Sequence, residues 1–467
     1  MTGTSSAPPP PHGTFSGTAA GSPLSDRVRR IVADVFQLED GQVTLDSSPR
    51  TIEKWDSVNH LNLILALETE FHASFSPEEI DHFDRVEAIV QALEGKAGPP
   101  ARAPGTSGSE PVIRRLEPHD LPAVVTLLSQ RDGQEYGRGP VGRYLCDLDP
   151  SRLLGWIAFT GDRPVGMTVL YLRRVVWGRE VLDGGYWAHL YVHQDMRRHL
   201  VYPRLVHTMM EEAAAAGVAL IYTGTRRPTV AEGHVSIGFE PLGALGVRVK
   251  PLRPFALLAR YRGWKSLETV SPLFDLFYRG GLAARRHRPS SGIRIEATDS
   301  SSPHLDRLLD LRERQAGSRV HQQWTPESWR LRFGSTLEGW PYTLLLALDG
   351  PELLGGLLMR VAVRDAPSGG ASIRLGVVMD LVVPEERGPV AARLLGEAER
   401  RATRDGCLGM LWLDGVPELG PLMKRLGYRD SPETYRMIVW PPTLVPMASP
   451  MRSISNWRFP FSEHDAF

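Results

Sequence analysis

Between residues 25 and 95 the apolar positions recur with a helical period. Val28, Ile31, Val32, Val35 and Phe36 fall at i, i+3, i+4, i+7 and i+8, which predicts an amphipathic helix. A polar loop through Asp46-Ser47-Ser48-Pro49 follows. A second helix is predicted from Asp56-Ser57, carrying Val58, Leu61, Ile64, Leu65 and Phe71 on one side. Ser76-Pro77-Glu78-Glu79 reads as a further helix start, with Ser as the cap and Pro in the first turn. Val86 to Leu93 gives a last helix, so the segment is expected to be a small bundle with one long loop.

After residue 111 the rhythm changes. Val112-Ile113-Arg114 opens a strand, and Leu121, Val124, Val125 and Leu128 mark a helix. Strands are predicted at Trp156–Phe159 and Val165–Leu172, joined by the hairpin turn Thr160-Gly161-Asp162-Arg163-Pro164. Another strand, Tyr186–Val192, runs into a helix from about Tyr202 to Ala216. A strand at Val218–Tyr222, a Gly/Pro-bearing loop and Ile237-Gly238-Phe239 complete the order. The same order returns over 292–443. A strand at Ile293–Glu296 and a helix at Leu305–Glu313 are followed by a hairpin of Tyr342–Leu348 and Leu353–Val361. Val377–Val383 leads to a helix near Val390–Arg404, then Leu408–Leu413 and Leu426-Gly427-Tyr428. This is an internal duplication, far too long in period for a solenoid. Between the copies, Phe255–Arg288 is basic and aromatic with helical stretches; packing between the two halves is expected of it, a membrane-surface helix being the rarer use of such a pattern.

Residues 1–24 are a low-complexity tail in which 20 of 24 are Pro, Gly, Ser, Thr or Ala, and 96–110 is a Gly/Pro/Ser/Ala linker. The boundaries read from the sequence are therefore a tail (1–24), a helical domain (25–95), a linker (96–110), a first mixed domain (111–254), a connector (255–291), a second mixed domain (292–443) and a C-terminal tail (444–467). The chain has 467 residues with 54 basic and 54 acidic side chains, so it is formally neutral. That balance hides a segregation. Residues 25–95 hold 15 acidic and 6 basic residues, a net of −9, whereas 96–467 hold 39 and 48, a net of +9. Opposite charge favours docking through encounter rate and orientation. Two cysteines, Cys146 and Cys407, exclude a disulfide scaffold and a cysteine zinc site, and fit a reducing, cytoplasmic setting. No apolar run is long enough for a spanning helix, and the N-terminus lacks a secretory pattern. Arginine is not interleaved with aromatics as nucleic-acid modules require.

Trp55-Asp56-Ser57-Val58-Asn59-His60-Leu61 stands between the long loop and an apolar helix, with an upstream helix and Phe71-His72-Ala73-Ser74-Phe75-Ser76-Pro77-Glu78-Glu79-Ile80 downstream. An Asp-Ser pair alone is an ordinary helix cap. In this frame, residues 25–95 resemble an acyl carrier protein. The resemblance implies that Ser57 carries covalent 4′-phosphopantetheine, added by a phosphopantetheinyl transferase, with acyl-loading or other biosynthetic enzymes docking on the domain. A helix start suits the phosphodiester, since its free amides favour an anion.

The order of elements in the two later copies resembles the GNAT fold, twice over. The fold expected for the whole is thus multidomain: an all-α carrier bundle followed by two α/β mixed-sheet GNAT-like domains. In that family the central strand ends in a Gln/Arg-x-x-Gly-x-Gly/Ala loop that holds the coenzyme A pyrophosphate. Here the first loop carries Arg197 and Arg198 but has Leu200 and Tyr202 at the glycine places. The second carries Arg387 and Gly388 but has Pro389, which lacks an amide, and Val390. These four Arg/Gly residues and Ser57 are the candidate cofactor contacts. The degenerate loops point to a donor other than acyl-coenzyme A, or to a relic half. His189, on the central strand of the first copy, is placed where a base would act, and His234 where the family's proton donor stands; for either histidine alone a satisfied structural residue is the commoner case. In the second copy Asp380 is either a base or a strand-bulge residue, and Met423 stands at the donor place. No metal site is expected. The reading is a carrier-dependent acyltransferase acting on a small-molecule amine in specialised metabolism. Decarboxylation of a malonyl-type carrier thioester, and a non-catalytic docking protein, are the alternatives.

Overall fold

A computed structural model describes residues 23–36, 38–39, 41–52, 55, 63–64, 66–67, 70–71, 75, 83–96, 111–196, 201–284, 292–334, 340–366, 372–384, 388–440 and 449–464. The chain divides into two units, Met1–Thr106 and Ser107–Phe467.

In the first unit, α1 (Pro23–Phe36) and α2 (Val86–Lys96) are described in full, with helical turns at residues 63–64, 66–67 and 70–71. The i, i+4, i+8 stripe of α1 (Val28, Val32, Phe36) is buried against Ile64, Leu67, Ile89 and Leu93. Phe36 stacks on Trp55 at 5.1 Å between ring centres. Burying such side chains at about 1.5–3 kcal/mol each is what holds so small a unit together. The long loop is fixed at its base, where Val86 and Glu87 donate their amides to the carbonyls of Ser47 and Leu45, each at 2.9 Å.

The second unit is built on one continuous mixed sheet. A first run of elements is β1 (Val112–Arg115), α3 (Leu121–Asp132), α4 (Arg138–Tyr144), β2 (Leu153–Thr160), β3 (Arg163–Trp177), β4 (Glu180–Val192), α5 (Val201–Ala215), β5 (Leu220–Thr225), α6 (Pro228–Ser236) and β6 (Glu240–Pro251). After a helical hairpin, α7 (Pro254–Arg262) and α8 (Lys265–Ala284), comes a second run. It comprises β7 (Arg294–Thr298), α9 (Leu305–Ala316), β8 (His321–Gln323), α10 (Pro326–Phe333), β9 (Thr343–Asp349), β10 (Glu352–Arg364), β11 (Ile373–Val382), α11 (Gly388–Arg404), β12 (Gly409–Leu413), α12 (Gly420–Arg425) and β13 (Arg429–Trp440). The helix α6 stands where the sequence reading placed a loop; its Pro228 sits in the first turn, where proline is tolerated.

Strand order is β1-β2-β3-β4-β5-β13-β6-β12-β11-β10-β9-β7. The two closing strands are exchanged. β13, last of the second run, pairs antiparallel with β5 of the first (Arg436↔Thr225 to Trp440↔Ile221). β6, last of the first run, pairs with β12 of the second (Gly409↔Pro251 to Leu413↔Val247). β13 and β6 also pair with each other, and β8 adds to β3. Each run thus supplies ladder partners that the other needs, and the backbone groups of β5 and β12 are satisfied across the seam.

One face of the sheet carries two separate cores. α5 buries Leu205, Val206, Met209 and Ala213 against β2–β5, and α11 buries Ala391, Leu394, Leu395 and Ala398 against β9–β12. The opposite face carries one shared core under α3, α4, α9, α10 and the C-terminal segment, including Leu128, Leu308, Trp329, Met379, Trp457 and Phe459. Trp324, Trp329, Phe333 and Tyr342 form a ring cluster within it, so the aromatic stretch after His321 is core. The connector packs in part as expected: Ala256 and Leu257 of α7 lie against the shared core and Arg260 donates to the Ser372 carbonyl at 3.0 Å. Beyond that contact α7 and α8 pack on each other (Phe255 and Phe274 rings at 5.3 Å) and leave apolar side chains in solvent.

Candidate active site

The parallel pair β4/β5 is hydrogen-bonded only from Gly184↔Leu220 to Tyr186↔Tyr222, although β4 continues to Val192. The parallel pair β11/β12 likewise stops at Val378↔Trp412, while β11 continues to Val382. Each run therefore has a wedge between the carboxyl ends of two parallel strands, the place where open α/β sheets take ligands.

A bulge at each wedge sets which way the central strand points its side chains. On β4, Tyr186 faces the shared core, Trp187 the α5 core, and Ala188 the shared core again. Opposite Met167 and Val169 the register slips between Tyr191 and Ala188, and His189 adopts φ +52°. The extra residue turns His189 to the same side as Ala188, where strict alternation would send it to the α5 side. On β11 the register slips between Val378 and Asp380, and Met379 and Asp380 both face the shared side. The two runs thus bring His189 and Asp380 to corresponding places.

Their surroundings differ. His189 is half-buried among Tyr144, Tyr171 and Arg131. Arg131 Nη1 lies 2.9 Å from His189 Nδ1, and Tyr171 Oη lies 3.1 Å from Nε2. A guanidinium only donates, so Nδ1 is the accepting nitrogen. The neutral imidazole then carries its hydrogen on Nε2 and donates it to Tyr171, whose hydroxyl is turned to donate in its own right. Arg131 is held by a two-pronged contact with Asp132 (2.7 Å and 2.7 Å), and Tyr136 donates to the same carboxylate at 3.0 Å. Burial alone would raise the Asp132 pKa, but the Arg131 hydrogen bond and charge outweigh it and hold the carboxyl below its usual range. The sequence reading placed a base at His189; the geometry presents a neutral imidazole backed by a cation, with Tyr171 and Arg131 as partners that no motif signalled.

Asp380 is enclosed. It is 1% exposed; Arg458 reaches it at 2.6 Å and 3.2 Å, Arg312 at 3.0 Å, and Ser462 donates at 3.2 Å. Arg312 also pairs with Glu463, and Arg173 donates to the Glu463 carbonyl at 2.9 Å. Burial would raise the Asp380 pKa, yet the Arg458 and Arg312 charges outweigh it and bring it to about 2. A carboxylate so held does not take a proton at neutral pH; of the two readings of Asp380, base or strand-bulge residue, it is the bulge that is present, and the side chain anchors a buried ion network. The C-terminal segment delivers Arg458, Ser462 and Glu463 to this network, and also reaches the first run, where His464 Nε2 lies 3.2 Å from the Gly224 carbonyl.

His234 lies on the other side of the sheet, on α6, with its ring 4.4 Å from Trp187 and its Nδ1 2.9 Å from Tyr202 Oη. Burial lowers its pKa to about 4 and raises that of Tyr202. His189 and His234 are thus separated by the sheet and do not form a pair. A depressed histidine pKa means that the unfolded chain takes a proton first. Stability is complete above the ordinary value of 6.5 and declines as pH falls toward about 4. The shift corresponds to about 3 kcal/mol. Urea unfolding at pH 7 and pH 4.5 should show this slope in the wild type and a shallower one in His234→Phe.

Of the candidate cofactor contacts, Ser57, Arg197, Arg198 and Arg387 lie outside the described residues. Gly388 begins α11, and a Cβ there would meet only Leu422, at 3.9 Å, so packing does not demand glycine. Tyr202, at a place where the loop pattern calls for a small residue, is half-buried in the first turn of α5 and tied to His234. Among the described residues no cluster of His, Cys, Asp and Glu could hold a metal ion, and no helix is long and apolar enough to cross a membrane.

No family model matches the chain. Its N-terminal region is 32% identical over 73 residues to an acyl carrier protein of Petrotoga mobilis, a match covering 16% of this chain and 86% of that protein. Among solved structures, N-myristoyltransferase of Saccharomyces cerevisiae with bound myristoyl-CoA and inhibitors superposes with a TM-score of 0.51 at 11% identity, covering 73% of this chain and 82% of its own. A GCN5-related N-acetyltransferase from Anabaena variabilis gives 0.49 at 11%, covering 70% and 72%. At such identities the similarity is one of fold, a mixed α/β sheet flanked by helices.

Proposed function

We propose, for a chain whose N-terminal region belongs to the acyl carrier protein family, that the remainder is a tandem GNAT-like N-acyltransferase. It would take an acyl group from a phosphopantetheine thioester on Ser57 and pass it to a small-molecule amine. The observation that carries this is the bulge that turns the half-buried His189 in among proton-bearing side chains beside the β4/β5 wedge. At the corresponding place in the second run Asp380 is enclosed by the C-terminal segment, which also reaches the first run, where His464 Nε2 lies 3.2 Å from the Gly224 carbonyl. We take the first run as the working centre because His189 is half-buried, whereas Asp380 is locked in a buried ion network.

A wedge between parallel strands suits an arm with amide groups. Beyond Tyr186↔Tyr222, the β4 edge facing β5 has ladder positions that β5 does not occupy, and an extended arm can use them as a strand would. When bound, the arm supplies a thiol that presents the acyl group as an activated thioester. The residues of the chain do the rest. Arg131 fixes the His189 tautomer, His189 Nε2–H holds the Tyr171 oxygen, and the Tyr171 proton is made easier to give to developing negative charge. Asp132 neutralises Arg131 and keeps it in place. Tyr202 stands where the loop pattern calls for a small residue, which favours an arm without adenosine. Acyl-coenzyme A is the weaker donor on this reading.

The test is intact-protein mass spectrometry of the full chain. A phosphopantetheinyl transferase should add one arm to the wild type and none to Ser57→Ala, and acyl transfer to an added amine should vanish with the arm. Transfer from acetyl-coenzyme A that survives Ser57→Ala would overturn the carrier-dependent reading. A malonyl-loaded carrier that loses only carbon dioxide would establish decarboxylation, and loading without turnover would leave a docking protein.

A further inference from the structure

The hairpin α7–α8 is built inside out. Along α8 the residues facing the protein are polar. Ser271 and Asp275 are 2% and 3% exposed. Asp275 accepts the amides of Phe255 (3.0 Å) and Ala256 (3.2 Å) and so caps α7, Ser271 donates to the Glu268 carbonyl, and Glu268 pairs with Arg260 at 2.9 Å. The residues facing solvent are apolar. Val270, Leu273 and Phe274 share one face at i, i+3, i+4, and Leu276, beside them, is 63% exposed. Tyr261 and Trp264, at the turn between the helices, are about half exposed. Of the 13 exposed large hydrophobics among the described residues, eight lie between Phe255 and Leu276. Helices on a soluble surface show the reverse pattern, and a patch of this size on one hairpin marks an interaction surface.

Charge narrows the occupant. Residues 254–288 hold seven Arg and Lys against two acidic residues, a net of +5 in a chain that is neutral overall. A second copy of the hairpin would bring like charge against like. The acidic N-terminal unit matches the sign but exposes a single large apolar side chain, Leu45, among its described residues. A bilayer bearing anionic headgroups answers both features. Its acyl boundary takes the apolar stripe, its headgroups meet the exposed Arg262 and Lys265, and Trp264 and Tyr261 suit the boundary between the two.

We propose that α7–α8 docks the protein on the surface of an anionic lipid bilayer, lying in the interface without crossing it. The experiment is co-sedimentation of the full chain with vesicles of phosphatidylcholine alone or mixed with phosphatidylglycerol, at low and high salt. The wild type should sediment with the anionic vesicles, be released by salt, and bind phosphatidylcholine weakly. Leu273→Glu/Leu276→Glu should lower the partitioning by at least about tenfold, and so should Arg262→Glu/Lys265→Glu, because both the apolar and the electrostatic parts are needed. All four side chains are exposed, and circular dichroism checks that each variant folds. If the leucine pair fails to fold, the basic pair decides. Absence of binding to anionic vesicles would overturn the proposal. So would a dimer in solution that the leucine pair dissociates, without vesicle binding, which would make the stripe an interface between copies of the chain.

Discussion

Replacing His189 with Asn should lower acyl transfer from the loaded carrier by about 10²–10⁴-fold, the usual contribution of a positioned proton-transfer group, while arm attachment at Ser57 and thermal stability stay near wild type. Asn is the informative choice because His189 sits at φ +52°. Asn tolerates that conformation far better than Ala or Phe, so the bulge is kept while the imidazole is removed. The tautomer sharpens the expectation. If Nε2–H serves as a donor to Tyr171, His189→Gln, which can still place an N–H there, should keep more activity than His189→Asn. Tyr171→Phe should be as damaging as the loss of the histidine, since it removes the hydroxyl that His189 holds at 3.1 Å. The measurement is single-turnover deacylation of the loaded full chain in the presence of the amine that it accepts best. Full activity in both His189→Asn and Tyr171→Phe would remove this cluster from the chemistry. A strong effect of Asn with none of Phe would return His189 to the role of direct base.

Which parts were legible beforehand follows from the range over which each signal acts. The Asp56-Ser57 frame and the helix periods of residues 25–95 are local, and periodicity alone gives α1 and α2 to within a few residues. The order strand–helix–hairpin–strand–helix–strand is also local, because Val/Leu runs, turn residues and 3.6-residue stripes are each set by near neighbours. What could not be read is set by partners distant in sequence. Neither β6 nor β13 was expected as a strand, and nothing in Leu242, Leu245 and Val247 or in Tyr435, Met437 and Val439 names the strand beside it. The exchange between the runs is decided by which ladder edge is left open. The bulges are likewise invisible, since they are differences in register between two strands and not features of one. That is why the sequence places His189 on the right strand but does not name Tyr171 and Arg131 as its partners. The last segment misled for a related reason. Trp457, Phe459 and Phe461 read as the end of a tail, yet the alternation of these rings with Arg458, Ser462 and Glu463 is what a buried segment needs if it must fill an apolar core and meet Asp380 and Arg312 as well.

Asp380→Ala should cost about 3–5 kcal/mol of stability in the second unit, the range for removing one partner of a buried ion pair. The reason is the count of charges left behind. Arg312 and Arg458 are both 0% exposed; both meet Asp380, and Arg312 also meets Glu463, whose carboxyl pKa is pushed up by burial. Without Asp380, two buried guanidiniums share one carboxylate, and Ser462 loses its acceptor. Asp380→Asn restores shape and one acceptor but not the charge, and should fall between the wild type and Ala. The network also has an acid limb. A carboxyl whose pKa is lowered on folding contributes its full stability above the ordinary value of 3.8, and that contribution is lost as pH falls through about 2. The wild type should lose stability over that interval, and Asp380→Asn should not show this part of the loss. Near-UV circular dichroism during urea unfolding reports on the tertiary packing of the aromatic core around Trp457 and Phe459. The same variant separates the two runs functionally. At a temperature where Asp380→Asn remains folded, transfer from the loaded carrier should continue at close to the wild-type rate, because Asp380 anchors the C-terminal segment and meets no substrate. A loss of transfer comparable with that of His189→Asn, without a loss of stability, would show instead that the second run holds a working centre and that the C-terminal segment leaves it during the reaction.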